Sequence, residues 1–234
     1  MTTEMEEKER ANLRALVEAR FQQSMSVPEA FFAQEAGRIA EACWAMARRF
    51  HSGGRLLAFG NGAGATDAQH VSVEFVHPVI VGKRALPALA LTNDSATLSG
   101  LMAGGDTEMP FVRQLHILGR PQDMAMGFSE DGNCANVVAA LALAKRMGML
   151  TLGLTGGNGG LLAQLSQHSA ILSARAEALS ETKGKDDPSR DDALDYCFIV
   201  PASDPLVIQE THETLYHVLW ELVHIFFEHE GLLT

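Results

Sequence analysis

His70 and Glu74, in the stretch GNGAGATDAQHVSVEF, stand four positions apart, which puts an imidazole and a carboxylate on one face of any helix that carries them. Such a pair can share a divalent ion or relay a proton. Gln209, His212 and His217 recur in IQETHETLYH near the far end of the chain, with Gln209 and His217 two helical turns apart. A mixed set of imidazole, carboxylate and amide suits zinc or another divalent ion with an open coordination position, the catalytic pattern. The chain has nine histidines, so ordinary surface or core roles compete for each, first of all for His212 and His224. Two glycine-bearing loops supply the other half of the chemistry: GNGAG follows RLLAF, and SEDGN follows MAMGF. Each leads into a helix whose free N–H groups and dipole favour an anion, an outline that fits a phosphate site. Neither loop has Walker or GxGxxG spacing, so a plain tight turn stands beside the phosphate reading.

Those side chains need a scaffold, and the hydrophobic pattern describes one. The runs RLLAFG, PALALT, MAMGFS, LTLGLT and CFIVP alternate with helix-length segments, which predicts βαβ units around a parallel sheet covered on both faces. In such a sheet ligands bind beyond the carboxyl ends of the strands, where both glycine loops fall. Ahead of the sheet, EKERANLRALVEARFQQSMSV and PEAFFAQEAGRIAEACWAMARRFHSGG predict two antiparallel helices within a helical extension, residues 1–52. Pro28 would open the second and Gly53-Gly54 would end it. DPLVIQETHETLYHVLWELVHIFFEH predicts a long amphipathic helix that packs with these. Between SAILSA and YCFIVP, either of which could be the last strand, the polar residues 175–194 read as an exposed insertion, a lid or partner contact in its functional reading and a solvated loop in its commoner one.

Composition bounds the class. At 234 residues with 47% hydrophobic content, the chain can bury one core, and a single domain over 1–234 is expected. The excess of 29 acidic over 18 basic residues, a formal charge of −11, argues against direct binding of nucleic acid or an anionic membrane. The opening MTTEMEEKER is charged where an export signal would be apolar, and no run approaches bilayer-spanning length, so a cytoplasmic location is expected. Cys43, Cys134 and Cys197 are odd in number without CxxC spacing, which disfavours a disulfide framework or structural zinc site and fits a reducing compartment.

The GNG turn with its AQH…E helix, the S..GN.AN loop, LTLGLTGGNGG and the terminal IQE.H....H together resemble the phosphoheptose isomerases of the sugar isomerase (SIS) domain superfamily, in the same order over about residues 35 to 230. The resemblance implies a three-layer αβα SIS fold with a five-stranded parallel sheet, flanked by N-terminal helices and a long C-terminal helix. It implies a homotetramer with sites between subunits, and aldose–ketose isomerisation of sedoheptulose 7-phosphate. It also implies one zinc per subunit on His70, Glu74, Gln209 and His217, with Glu74 as base and His217 protonating the neighbouring carbon or oxygen. The sugar or sugar phosphate would meet Asn61, Gly62, Gly64, Asp94, Ser129, Glu130, Asp131, Asn133, Cys134 and Gln209.

The phosphate half departs from that family. Where relatives have a loop of the type S-T-S-G-N-S, this chain has Ser129-Glu130-Asp131-Gly132-Asn133-Cys134, and Gly64 stands where a serine is expected. Hydroxyls donate to phosphate oxygens, whereas ionised carboxylates only accept. An arginine of the family falls near Pro78, with Lys83 and Arg84 close enough in sequence to compensate, and an aspartate-arginine pair is replaced by Leu206-Val207. Three readings follow: an isomerase with an altered substrate, a non-catalytic SIS scaffold similar to replication-initiator-associating proteins that holds a protein partner, and a sugar-binding regulator. The retained metal set favours the first.

Overall fold

The computed structural model describes residues 2–105, 109–166, 193–229 and 231. Along the chain, α1 (Thr2–His51) precedes β1 (Leu56–Gly60), α2 (Ala63–Val76), β2 (Ala88–Ala90), α3 (Ser95–Ala103) and α4 (Met109–Leu118). Then come β3 (Met124–Ser129), α5 (Ala135–Arg146), β4 (Leu150–Gly156), β5 (Tyr196–Val200) and the terminal helix α6 (Pro205–Glu228). All five apolar runs are strands, and they form one parallel sheet in the order β2-β1-β3-β4-β5. YCFIV is the strand that closes it; SAILSA lies outside the described residues.

Every residue of β1, β3 and β4 is buried, because helices cover both faces of the sheet. Successive side chains serve opposite layers. Leu56 and Ala58 join Phe31, Met46, Phe75 and Tyr216 in the layer of α1, α2 and α6, while Leu57 and Phe59 join Phe111, Leu115 and Leu141 under α4 and α5. The expected three-layer αβα architecture is therefore present.

The opening segment differs from expectation. Instead of two antiparallel helices, one helix runs from Thr2 to His51 with Pro28 in its interior. A proline there removes one backbone hydrogen bond and costs about 3 kcal/mol in an isolated helix, so contacts on both sides of it must hold the axis continuous. C-terminal to Pro28, Phe31, Ile39, Cys43 and Met46 are buried in the core. N-terminal to it, Arg20 bonds Glu210 at 2.7 Å and Ser24 donates to the same carboxylate at 2.8 Å, which ties that half to the start of α6. The helix ends where the glycines were expected to end it, with Gly53 at φ 81°.

At the other end, Asp204 caps α6 by accepting from Leu206 N, and Pro205 occupies the first turn, where a missing N–H is harmless. Of the insertion expected at 175–194, residues 175–192 lie outside the described residues, and Ala193 and Leu194 are buried under the sheet. No helix among the described residues is long and apolar enough to cross a membrane.

Candidate functional site

The sheet order reverses direction at β1, whose chain continues to β2 on one side and later to β3 on the other. Connections leaving neighbouring strands in opposite directions open a crevice at their carboxyl ends. A cleft of about 320 Å³ occupies that crevice, lined by Asn61, Gly62 and Gly64 from the first glycine loop, Ser129, Glu130 and Cys134 from the second, and Leu206, Gln209 and His212 from α6. Both loops predicted from sequence thus meet in one place, and the terminal helix forms the third wall.

Glycine is a structural requirement in both loops. Gly132 has φ 76°, and a Cβ there would stand 2.0 Å from the Gly159 carbonyl oxygen. At Gly64 a Cβ would stand 2.9 Å from the Phe128 Cβ, so this position has no room for a serine without a shift of the adjoining strand. The loops are clasped to each other by Asn61 and Asn136, whose amides exchange hydrogen bonds of 2.8 and 3.0 Å. Asp131 curls back on its own loop, accepting from Asn133 N at 2.9 Å, and that bond holds its carboxyl below the usual carboxylate range. Asn133 also accepts from Leu161 N, and Ser129 Oγ accepts from Cys134 N, so several residues expected to meet substrate are engaged in shaping the loop. Asp94 is set apart from the cleft. It caps α3 by accepting from Thr97 N and Oγ1, and it lines a different hollow with Asn93 and Gln114.

His70, Glu74 and His217 converge beside this cleft, each offering an atom within 4.8 Å of the others. His70 Nε2 lies 3.4 Å from His217 Nε2 and 3.3 Å from Glu74 Oε1. One Nε2 proton cannot be directed at both partners, whereas a cation can be shared among all three. A tetrahedral ion with bonds of about 2.0–2.1 Å separates any two of its donor atoms by about 3.3 Å, so the spacing fits zinc. Gln209 stands two turns before His217; its amide nitrogen donates to Asp67 at 3.2 Å and Thr66 Oγ1 at 3.3 Å, leaving the carbonyl oxygen as the atom able to face an ion.

The surroundings fix His70 in a suitable tautomer. Tyr216 Oη lies 2.8 Å from His70 Nδ1, and Glu213 Oε1 lies 3.5 Å from the same nitrogen. Two oxygens able to accept favour the proton on Nδ1, which leaves the Nε2 lone pair directed toward Glu74 and His217. Burial, reinforced by Asp67, Glu213 and Glu74, pushes Tyr216 well above the ordinary phenol range, so it remains a neutral hydroxyl. The indole of Trp220 donates to the Glu74 carbonyl at 2.8 Å and pins the end of α2.

Asp67, Glu213, Tyr216 and Asn136 were not singled out from sequence. Asp67 is buried, and that burial pushes its carboxyl up to about 6 against the opposing hydrogen bond from Gln209. The signal was available: Asp67, His70 and Glu74 follow i, i+3, i+7 on α2, and Gln209, Glu213, Tyr216 and Trp220 follow one stripe of α6. His212 and His224 are core residues, as their bland reading had it. His212 Nε2 lies 3.2 Å from the Thr155 carbonyl, and burial pushes the imidazole down to about 4; His224 bridges the Trp220 and Arg84 carbonyls at 2.8 and 2.9 Å. Lys83 and Arg84 do not line the cleft of their own chain. Lys83 pairs with Glu228, and Arg84 lies over the Phe227 ring at the far end of α6.

Comparison with known proteins points the same way. Residues 20–156 match the model of the SIS domain family. The phosphoheptose isomerase of Thermodesulfovibrio yellowstonii is 34% identical over 209 residues, 89% of this chain and 90% of that one. That of Desulfovibrio desulfuricans is 46% identical over a shorter stretch of 137 residues, 58% of this chain and 65% of its own. Among solved structures, a phosphoheptose isomerase from Neisseria gonorrhoeae superposes with a TM-score of 0.71 at 27% identity, covering 90% of this chain and 98% of its own.

Proposed function

This chain belongs to the SIS domain family and, within it, to the phosphoheptose isomerases, and from that premise we propose that it interconverts an aldose and a ketose by moving a proton between adjacent carbons. The observation that carries this is the convergence of Glu74 and His217 on His70 Nε2, at 3.3 and 3.4 Å, beside the cleft between the two glycine loops. A sugar or sugar phosphate is the substrate class, in keeping with what those relatives are named for.

Isomerisation removes a proton from the carbon next to a carbonyl and returns it to the neighbour through an enediol. Glu74, partly buried and anchored through its backbone by Trp220, is the base that removes it. His217, the most exposed of the three, exchanges the proton on the adjoining carbon or oxygen. Gln209 and Asp67, joined by their hydrogen bond, hold hydroxyls at the mouth of α2. At the start of α5, where no side chain caps the helix at Cys134, the Ala135 and Asn136 backbone N–H groups are placed to meet sugar oxygens. A zinc ion held by His70, Glu74 and His217, with the Gln209 carbonyl as a further ligand, would act as a Lewis acid that polarises the carbonyl.

One zinc per subunit goes with this reading. So does a homotetramer, supported by the apolar ridge Leu13, Leu16, Val17 and Phe21 on α1, which repeats at helical spacing and is exposed. The test is an isomer-resolved sugar assay on protein prepared without chelator, with metal content measured in parallel. Aldose and ketose should interconvert, with activity lost on chelation and restored by zinc. Folded protein that takes up zinc yet converts no aldose or ketose in a panel of neutral and phosphorylated sugars would leave the scaffold reading in its place.

A further inference from the structure

Helix α2 carries two of the three converging side chains, His70 and Glu74, in its last two turns, and its end is bonded in an unusual way. A helical carbonyl normally accepts from the N–H four residues ahead. Val73 does so from His77 at 2.7 Å, but the residue four ahead of Glu74 is Pro78, which has no N–H to give. The Glu74 carbonyl is met instead from another helix, by the indole N–H of Trp220 at 2.8 Å. Phe75, next in line, accepts from Leu86 N at 2.8 Å. Proline thus turns an ordinary bond within α2 into a bond between α2 and α6.

That bond is one of three rungs joining the two helices. Gln209 meets Asp67 at 3.2 Å, Tyr216 meets His70 at 2.8 Å and Trp220 meets Glu74, in step along both helices. The first two end on side chains that can turn about their own bonds, and Gln209 reaches a backbone oxygen only at 3.4 Å, that of Ala63. The Trp220 rung ends on the backbone of Glu74 itself. Its indole is buried and packs on the His224 ring, whose two nitrogens are held by the Trp220 and Arg84 carbonyls, so it has little room to swing. Trp220 follows His217 by one turn of α6, and fixing the indole against α2 therefore also fixes where His217 stands relative to His70 and Glu74. Resting on the isomerase reading of this site, we infer that Trp220 is a positioning residue: by giving the Glu74 carbonyl the hydrogen bond that Pro78 withholds, it sets the register of α6 on α2 and holds His217 at 3.4 Å from His70.

Zinc affinity tests this without any turnover, read by competition with a chromophoric chelator on the full chain well below its unfolding midpoint. Trp220→Phe keeps an aromatic ring and removes the N–H, and it should weaken zinc binding by about tenfold. Its unfolding midpoint should fall as well, because a buried carbonyl loses its donor. Pro78→Ala, added to Trp220→Phe, offers Glu74 a donor within its own helix. The double variant should recover stability while its zinc affinity stays low, since a bond inside α2 places nothing on α6. Pro78→Ala alone should bind zinc as the wild type does. With zinc saturating, the loss in Trp220→Phe should fall on kcat, with KM little changed. Failure of the wild type to take up zinc, unchanged affinity in folded Trp220→Phe, or full recovery of affinity in the double variant would overturn the inference. The expected affinity pattern in a protein that isomerises nothing would uphold it while removing the catalytic reading.

Discussion

Tyr216 and His70 define the site at the scale of single residues. The 2.8 Å contact at Nδ1 orients the ring and selects its tautomer, so Tyr216→Phe should weaken zinc binding by about 10- to 100-fold, read by competition with a chromophoric chelator. An unchanged affinity would mean that Glu213 alone sets the tautomer. His70→Ala combined with His217→Ala should abolish binding outright. His212 makes a separate prediction about pH. Its folded value of about 4 lies below the 6.5 of a free imidazole, so the unfolded chain takes up a proton that the fold refuses. The stability it contributes is complete above about pH 6.5 and is lost as pH falls toward 4, a change on the order of 3 kcal/mol. Urea unfolding between those limits should show the decline, and His212→Gln, which keeps a donor for the Thr155 carbonyl, should flatten it. At this scale the sequence exposed His70, Glu74 and His217, because helical arithmetic alone puts a pair on one face. It concealed Asp67 and Tyr216, whose roles come from packing two helices against each other. It also offered Asp94 to the substrate, whereas the fold uses that carboxylate to cap α3.

The two glycine loops are the elements on which the cleft depends. Gly132→Ala places a methyl group against the Gly159 carbonyl at a positive φ, and should cost about 1–3 kcal/mol or more in chemical denaturation while enlarging or collapsing the cleft. Gly64→Ser, suggested by the family resemblance, should also destabilise, because Phe128 occupies the space. The sheet was readable from sequence because strands buried on both faces need uninterrupted apolar runs, and each of the five runs became a strand. The opening helix was misjudged at Pro28 for a complementary reason. Local rules place proline at a helix start, but the burial of Phe31 and Met46 on one side and the Arg20–Glu210 clamp on the other hold a single axis through it. Neither contact has a signature in the local sequence.

For the whole molecule, the exposed apolar ridge on α1 is the deciding feature. Light scattering should report four times the chain mass, and Leu16→Glu with Phe21→Glu should lower it, since both side chains are more than 60% exposed in the isolated chain. A stable monomer at micromolar concentration would contradict the tetramer. The central claim, that Glu74 moves a carbon-bound proton, is tested most directly by isomerisation in deuterium oxide with zinc present, offering neutral and phosphorylated heptoses. A carboxylate base exchanges with solvent, so the product should carry deuterium at the carbon adjacent to the carbonyl, and Glu74→Gln should slow its appearance by about 10²- to 10⁴-fold. Isomerisation without deuterium uptake, or at an undiminished rate in Glu74→Gln, would contradict it.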